Sequence, residues 1–304
     1  MEISLFDGHC DTIHHCWKTG EGLDETSGAI DLKRGRSLGR YCQFFAIWIE
    51  DGADDIRNYE AQYRLFQREM ERNRDWVSHC RTAQEAEQAH QNGKIAAFLS
   101  VEGAHLLGCD IQRLRQAHRR GVRAVNLTWN HANVLSGSCM EEPERGLSPV
   151  GKTFVDEMQR LGMLVDLSHL SDPGFWDVME RAERPVFASH SNARAICGHS
   201  RNLTDEQITA IIKQQGVMGL NFHREFVGCG PGMDQLRRHL DHVLDLGGEL
   251  CVSLGGDLDG CVPVSGLKNL TDLEPFQDYL VRKHYPQSLI QNLFYNNLMR
   301  VVSK

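Results

Sequence analysis

The sequence predicts an α/β fold, an eight-stranded (β/α)8 or TIM barrel with a binuclear metal site at the carboxyl face of its strands. Three observations lead there. Eight short apolar runs alternate with amphipathic, charged stretches along the chain. Four of the runs end in imidazoles or carboxylates. Glycines 121, 162, 216 and 247 stand where a helix gives way to a strand and a left-handed residue is wanted. Catalytic groups of such barrels gather where the strands end.

The strand candidates are residues 3–9, 42–49, 95–101, 122–128, 163–168, 185–189, 217–222 and 251–256. Runs such as AAFLSV and VMGLNF are apolar throughout, as expected of a parallel sheet covered on both faces. Helical stretches are expected near 53–74, 110–120, 150–161, 172–182, 204–214, 232–246, 268–284 and 287–302. Thr204, followed by Asp205 and Glu206, and Ser171 before Asp172-Pro173 are start signals. Right-handed crossovers leave a closed barrel or an open doubly wound sheet, and eight units favour the barrel. Residues 12–40 and 131–148 read as loops over the strand ends, and 1–304 as a single barrel domain.

Composition narrows the function classes. A net charge of −8 and a pI near 6.0 argue against nucleic acid, which requires a basic surface. The longest apolar runs fall far short of the ~20 residues of a membrane helix. The beginning, MEISLFDGHCD, enters a strand at once and reads as no secretory signal. The ten cysteines form no CxxC pair, which suits free thiols and a cytoplasmic location. Cys10 lies between His9 and Asp11, so alternation along a strand turns it away from them and under the helices.

The chemistry-bearing residues are His9 and Asp11, Glu102, His169 and His190, each at the end of a strand candidate. Three imidazoles and two carboxylates suit zinc, and a carboxylate such as Glu102 can bridge two ions. Two such ions would hold a bridging hydroxide as nucleophile. Asp257 and Asp259 follow the last strand, where a carboxylate can exchange a proton with water and a leaving amine. Any one of these residues alone reads as a cap or a surface group. Their joint occurrence at successive strand ends makes the enzyme reading.

HCD at 9–11, VEGAHLLG at 101–108, LGMLVDLSHLSD at 161–172, FASHSNAR at 187–194, SRNLTDEQI at 200–208 and GGDLDG at 255–260 resemble the membrane (renal-type) dipeptidase family of zinc peptidases. The resemblance runs nearly end to end. It implies a (β/α)8 barrel with two Zn2+ per chain, His9 and Asp11 on one ion, His169 and His190 on the other, and Glu102 bridging. It makes Asp257 the catalytic acid/base and Arg201 the clamp for the free carboxylate of a dipeptide, a role suited to a planar guanidinium. L,D-dipeptides fall within what the family accepts, and its members are often homodimers.

One departure stands out. Many members carry Thr-His after the fourth strand, and here Trp129 falls on that histidine's position. His131, on the same face if the chain stays extended, and Asn130 are the expected substitute donors, with Trp129 as a pocket wall. The loops 12–40, 131–148 and 223–232 would select side chains. The rival readings are a binuclear barrel hydrolase of another amide, cyclic amide or lactone, and a non-catalytic metal-binding barrel. No lysine stands near 126–131 to serve as the modified bridging lysine of many such hydrolases.

Overall fold

The computed structural model describes residues 3–50, 52 and 54–303. Its strands are β1 (Ser4–Cys10), β2 (Arg40–Ile47), β3 (Val77–His79), β4 (Ile95–Val101), β5 (Val122–Asn126), β6 (Leu164–Asp166), β7 (Phe187–Ala188), β8 (Val217–Leu220) and β9 (Val252–Leu254). All their pairings are parallel. Eight of them close a barrel in the order β1-β2-β4-β5-β6-β7-β8-β9, with β9 returning to β1. The short β3, absent from the expected strands, pairs with Ile95–Ala97 of β4. It lies on the edge of β4 that β5 takes further along, at Leu99–Val101.

The helices are α1 (Thr12–Thr19), α2 (Leu32–Gly35), α3 (Asp55–Arg72), α4 (Ala83–Gln91), α5 (Ile111–Arg119), α6 (Pro149–Leu161), α7 (Asp172–Met179), α8 (Asp205–Lys213), α9 (Arg224–Val227), α10 (Gly232–Asp245), α11 (Leu273–Arg282), α12 (Gln287–Gln291) and α13 (Asn297–Val302). A capping box on Thr204 starts α8 and the Ser171 hydroxyl caps α7, as expected. Region 12–40 is not all loop, since it carries α1 and α2. The helix expected over 53–74 begins at Asp55, and Ala53 lies outside the described residues. No described helix is long and apolar enough to cross a membrane.

Strand alternation divides the core. Leu5, Tyr41, Phe45, Leu99 and Val125 face outward into the layer under the helices. Phe6, Phe44, Phe98 and Phe187 fill the barrel, their ring centroids 5.2–5.6 Å apart in successive contacts. Such aromatic pairs add about 1 kcal/mol each beyond their area. They form a dry floor beneath the strand ends.

Above that floor β1 breaks its alternation. Asp7 pairs with Gln43 and Cys10 with Phe45, so β1 holds one residue more than β2 over this stretch. The bulge lets Phe6 and His9 both face inward and puts Cys10 in the outer layer, fully buried. The Asp7 carboxylate accepts the His9 N–H at 3.0 Å and the Gly256 N–H at 2.8 Å, serving backbone groups near the bulge.

Beyond β7 the chain passes between two glycines. A Cβ on Gly255 would stand 1.8 Å from the Ser189 carbonyl oxygen, and one on Gly219 would stand 2.1 Å from the same atom. Only bare backbone lets β8 and β9 close on β7 beside His190. Gly255→Ala is therefore expected to destabilise the fold by about 3 kcal/mol, while Gly198→Ala, which meets open space, should stay within about 0.5 kcal/mol. Urea unfolding of the two variants compares them directly.

Candidate metal centre

The strand-end residues converge. Glu102 extends the inward face of β4 and presents its two oxygens to opposite sides. Oε2 lies 3.4 Å from His9 Nε2, while Oε1 lies 2.9 Å from His169 Nε2 and 3.3 Å from His190 Nε2. Asp11 Oδ2 stands 3.9 Å from His9 Nε2, and the two Nε2 atoms of His169 and His190 face each other at 3.0 Å. All five side chains are buried. Their donor atoms form overlapping groups of metal-ligand type, His9–Asp11–Glu102 and Glu102–His169–His190, with His9–His190–Asp257 as a third.

Local structure prepares each donor. The Asp11 residue begins α1, yet its carboxylate makes no capping hydrogen bond and turns to the cluster, with Oδ1 buried and unpartnered. His169 takes a left-handed backbone, φ +72°, which bends the chain after β6. Its Nδ1 lies 2.9 Å from Asn130 Oδ1, an acceptor, so the hydrogen sits on Nδ1 and the lone pair of Nε2 faces the centre. The Nδ1 of His190 meets the Ser189 hydroxyl at 2.6 Å, and the His190 N–H donates to Ser168 Oγ at 3.1 Å. Asp166 repeats the part of Asp7, accepting the N–H groups of Ser168 and Ser189, each at 3.0 Å.

The buried charges of the cluster shift one another strongly. Burial pushes the His9 imidazolium down, but Glu102, Asp11 and Asp257 outweigh it and hold it up at about 10. Burial works to raise Glu102, and the His9, His169 and His190 rings reverse this, leaving it well below the usual carboxylate range. Burial, with Arg201 adding to it, lowers His169 to about 4 and so keeps its nitrogen free to ligate. Asp11 is lifted by burial and then by Glu102. Buried orphan donors at His9 Nε2 and Asp11 Oδ1, facing imidazole nitrogens and a two-sided carboxylate fit a divalent metal centre.

Asp257 sits at the rim of this cluster with φ +56°, its Oδ1 4.0 Å from His9 Nε2. Burial lifts its carboxyl to about 6, against the pull of His9. Arg201 is no exposed loop arginine: it is 4% exposed, its Nη2 donates to the His190 carbonyl at 3.3 Å, and its Nε–H is buried without a partner. The guanidinium lies 5.4 Å over the Phe226 ring, inside the 223–232 segment.

The segment after β5 departs from expectation. The strand ends at Asn126 and the chain bends, so the extended geometry does not continue to His131, whose ring nonetheless stands 5.9 Å from that of Trp129. His131 points to the rim, 3.5 Å from Glu141 and 48% exposed, and is not among the groups brought together. Asn130 accepts from His169 through Oδ1, which makes it a positioning residue for a ligand. The Trp129 ring stands 6.2 Å from His169 and 5.1 Å from Trp48, which in turn meets His14 at 4.7 Å. Trp48 was not singled out in the sequence, although it continues the inward face of β2 beyond Phe44 and Ala46.

A closed parallel barrel whose strand ends gather imidazoles around one shared carboxylate defines a metal-dependent hydrolase. The profile of the membrane dipeptidase family, peptidase family M19, matches residues 1–304. The chain belongs to this family and is a metal-dependent dipeptidase by class. Among curated relatives, an uncharacterised protein in the pqqA 5′ region of Klebsiella pneumoniae is 31% identical over 73% of this chain and 87% of its own. Dipeptidase tcpJ of Claviceps purpurea is 29% identical over 97% of this chain and 76% of its own. Among solved structures, dipeptidase AC, a metallopeptidase of family M19, superposes with a TM-score of 0.91 at 28% identity, covering 99% and 98% of the two chains. A Rhodobacter sphaeroides metallopeptidase bound to a phosphinate mimic of L-Ala-D-Ala superposes with a TM-score of 0.90 at 27% identity, covering 99% of both.

Because Asn130 and Ser189 orient the two facing imidazoles, Asn130→Ala and Ser189→Ala are each expected to weaken metal binding about 10–100-fold. Competition with a chromogenic chelator measures this without recourse to activity.

Proposed function

We propose that the protein hydrolyses dipeptides with two zinc ions, one held by His9 and Asp11, the other by His169 and His190, with Glu102 shared. The observation that carries this is the division of Glu102, one oxygen toward His9 and the other toward His169 and His190. The chemistry of the bound pair would be Lewis acidity toward the scissile carbonyl and toward water.

The remaining steps fall to the chain's own groups. Arg201 would grip the C-terminal carboxylate of the substrate, for which its buried, incompletely paired guanidinium is suited. Asp257 would exchange a proton with the attacking water and then with the leaving amine, through the oxygen facing His9. Trp129 and Trp48 would wall the side of the cleft at His169 and keep water out. The phosphinate mimic of L-Ala-D-Ala on the Rhodobacter sphaeroides relative supports extending the substrates to dipeptides with a D-residue in second place.

Elemental analysis of the purified protein, paired with hydrolysis of a panel of L,L- and L,D-dipeptides, is the primary test. The expected result is about two zinc ions per chain and cleavage abolished by chelator. Two ions without cleavage of any dipeptide would overturn the substrate, and no metal after zinc is resupplied would overturn the mechanism.

Arg201→Ala is expected to raise KM for free dipeptides about 100-fold and leave the slow hydrolysis of C-terminally amidated analogues nearly unchanged. Equal losses on both substrates would remove the clamp.

A further inference from the structure

The Asp257 side chain is aimed by a residue outside the expected site. Asn221 follows β8 and is fully buried. Its Nδ2 stands 3.0 Å from Asp257 Oδ2, and its Oδ1 stands 2.6 Å from the backbone nitrogen of His223. The second contact settles the orientation of the carboxamide. A backbone N–H can only donate, so the atom it meets is the oxygen, and the atom facing Asp257 is the donating NH2. Asn192 locks the backbone of the same residue from the other side. Its Oδ1 accepts the Asn221 N–H at 3.0 Å and its Nδ2 donates to the Asn221 carbonyl at 2.9 Å.

From this geometry we infer that Asn221 is a positioning residue for the acid/base: it engages Oδ2 of Asp257 and so turns Oδ1 to the reacting atoms. The inference rests on the role given to Asp257 above. Asp257 needs such a partner, because its left-handed backbone frees the side chain from the alternation of β9 and leaves rotation about χ2 to be decided by hydrogen bonds. With Oδ2 held by an NH2 group, which cannot accept a proton, proton exchange with water and leaving amine falls to Oδ1, the oxygen 4.0 Å from His9 Nε2. Among the described residues the Asn221 carboxamide is the hydrogen-bond partner of Oδ2, and it separates the two oxygens into one that is anchored and one that works.

The test is a double-mutant cycle with Asp257→Asn. Asn221→Asp keeps the oxygen that His223 requires and replaces only the donating nitrogen, and Asn221→Ala removes both. In the wild-type background both variants are expected to lower kcat on a dipeptide about 10–100-fold with KM within about 3-fold and metal content unchanged. In the Asp257→Asn background they should change the residual rate by less than about 2-fold, because the group they position is already gone. A second loss of the same size in that background, or loss of metal together with rate, would overturn the inference and make Asn221 a structural residue. Wild-type kcat in the Asn221 variants would overturn it as well. Wild-type kcat in Asp257→Asn alone would remove the acid/base itself, a failure that the single Asn221 variants distinguish.

Discussion

The carboxylate of Glu102 is the constraint on which the carboxyl end of the barrel is organised. An ionised carboxylate at 2% exposure costs several kcal/mol unless it is matched. Three imidazoles and the cations they would bind supply that match. Those imidazoles come from β1, β6 and β7, so the strands must end at levels that bring His9, His169 and His190 to one point. A parallel barrel does this naturally, since its strands share a direction and side chains at successive ends project over the same floor. The four phenylalanines under the site exclude water from below and keep the carboxylate's interactions strong.

Matching the charge also requires departures from regular structure. His9 reaches inward only because β1 is bulged, His169 only because its backbone is left-handed, and His190 only because glycines flank Ser189. Each departure leaves backbone N–H groups that regular pairing would have served. Asp7 and Asp166 take these up, two each, and burial raises both carboxyls. These two aspartates do not join the cluster, yet they hold the ends of the strands in the shapes that make it. The local strain and its repair are thus part of one arrangement.

The candidate metal ligands were legible because strand alternation and strand ends are written in apolar runs, and His, Asp and Glu interrupt such runs conspicuously. The same signal fails where the chain leaves the strand. HxD at 9–11 reads as an alternation, but the bulge that reconciles it with an inward Phe6 involves Asp7, whose role is to accept backbone hydrogen bonds across space. Helix α1 was hidden because Asp11 begins it without capping it and histidines fill its sequence, TIHHCWKT. Strand β3 has three residues and borrows its partner from the lower edge of β4, which no periodicity reports. Extended geometry also stops at Asn126, where the chain bends and carries His131 to the exposed rim beside Glu141. Trp48 and Asn221 carry no motif, and only the closed barrel brings them to the site.

The proposed preference for dipeptides agrees with how Arg201 is tied to the candidate metal centre. Arg201 donates to the carbonyl of His190, the same residue whose imidazole faces His169 across the proposed metal position. The proposed anchor for a substrate carboxylate and the candidate metal centre are therefore tied together through one residue, His190, and not through a loop that can stretch. Asn202, next in the chain, reinforces this by donating to the carbonyls of Cys197 and Phe226 and accepting from the Asn192 N–H. Asn192 in turn grips Asn221, and Asn221 grips Asp257. Clamp, ligand strand and acid/base thus form one hydrogen-bonded frame of buried amides. A frame of this kind suits a substrate with one residue between its scissile bond and its free carboxylate, because a longer peptide would have to displace the frame to place both ends.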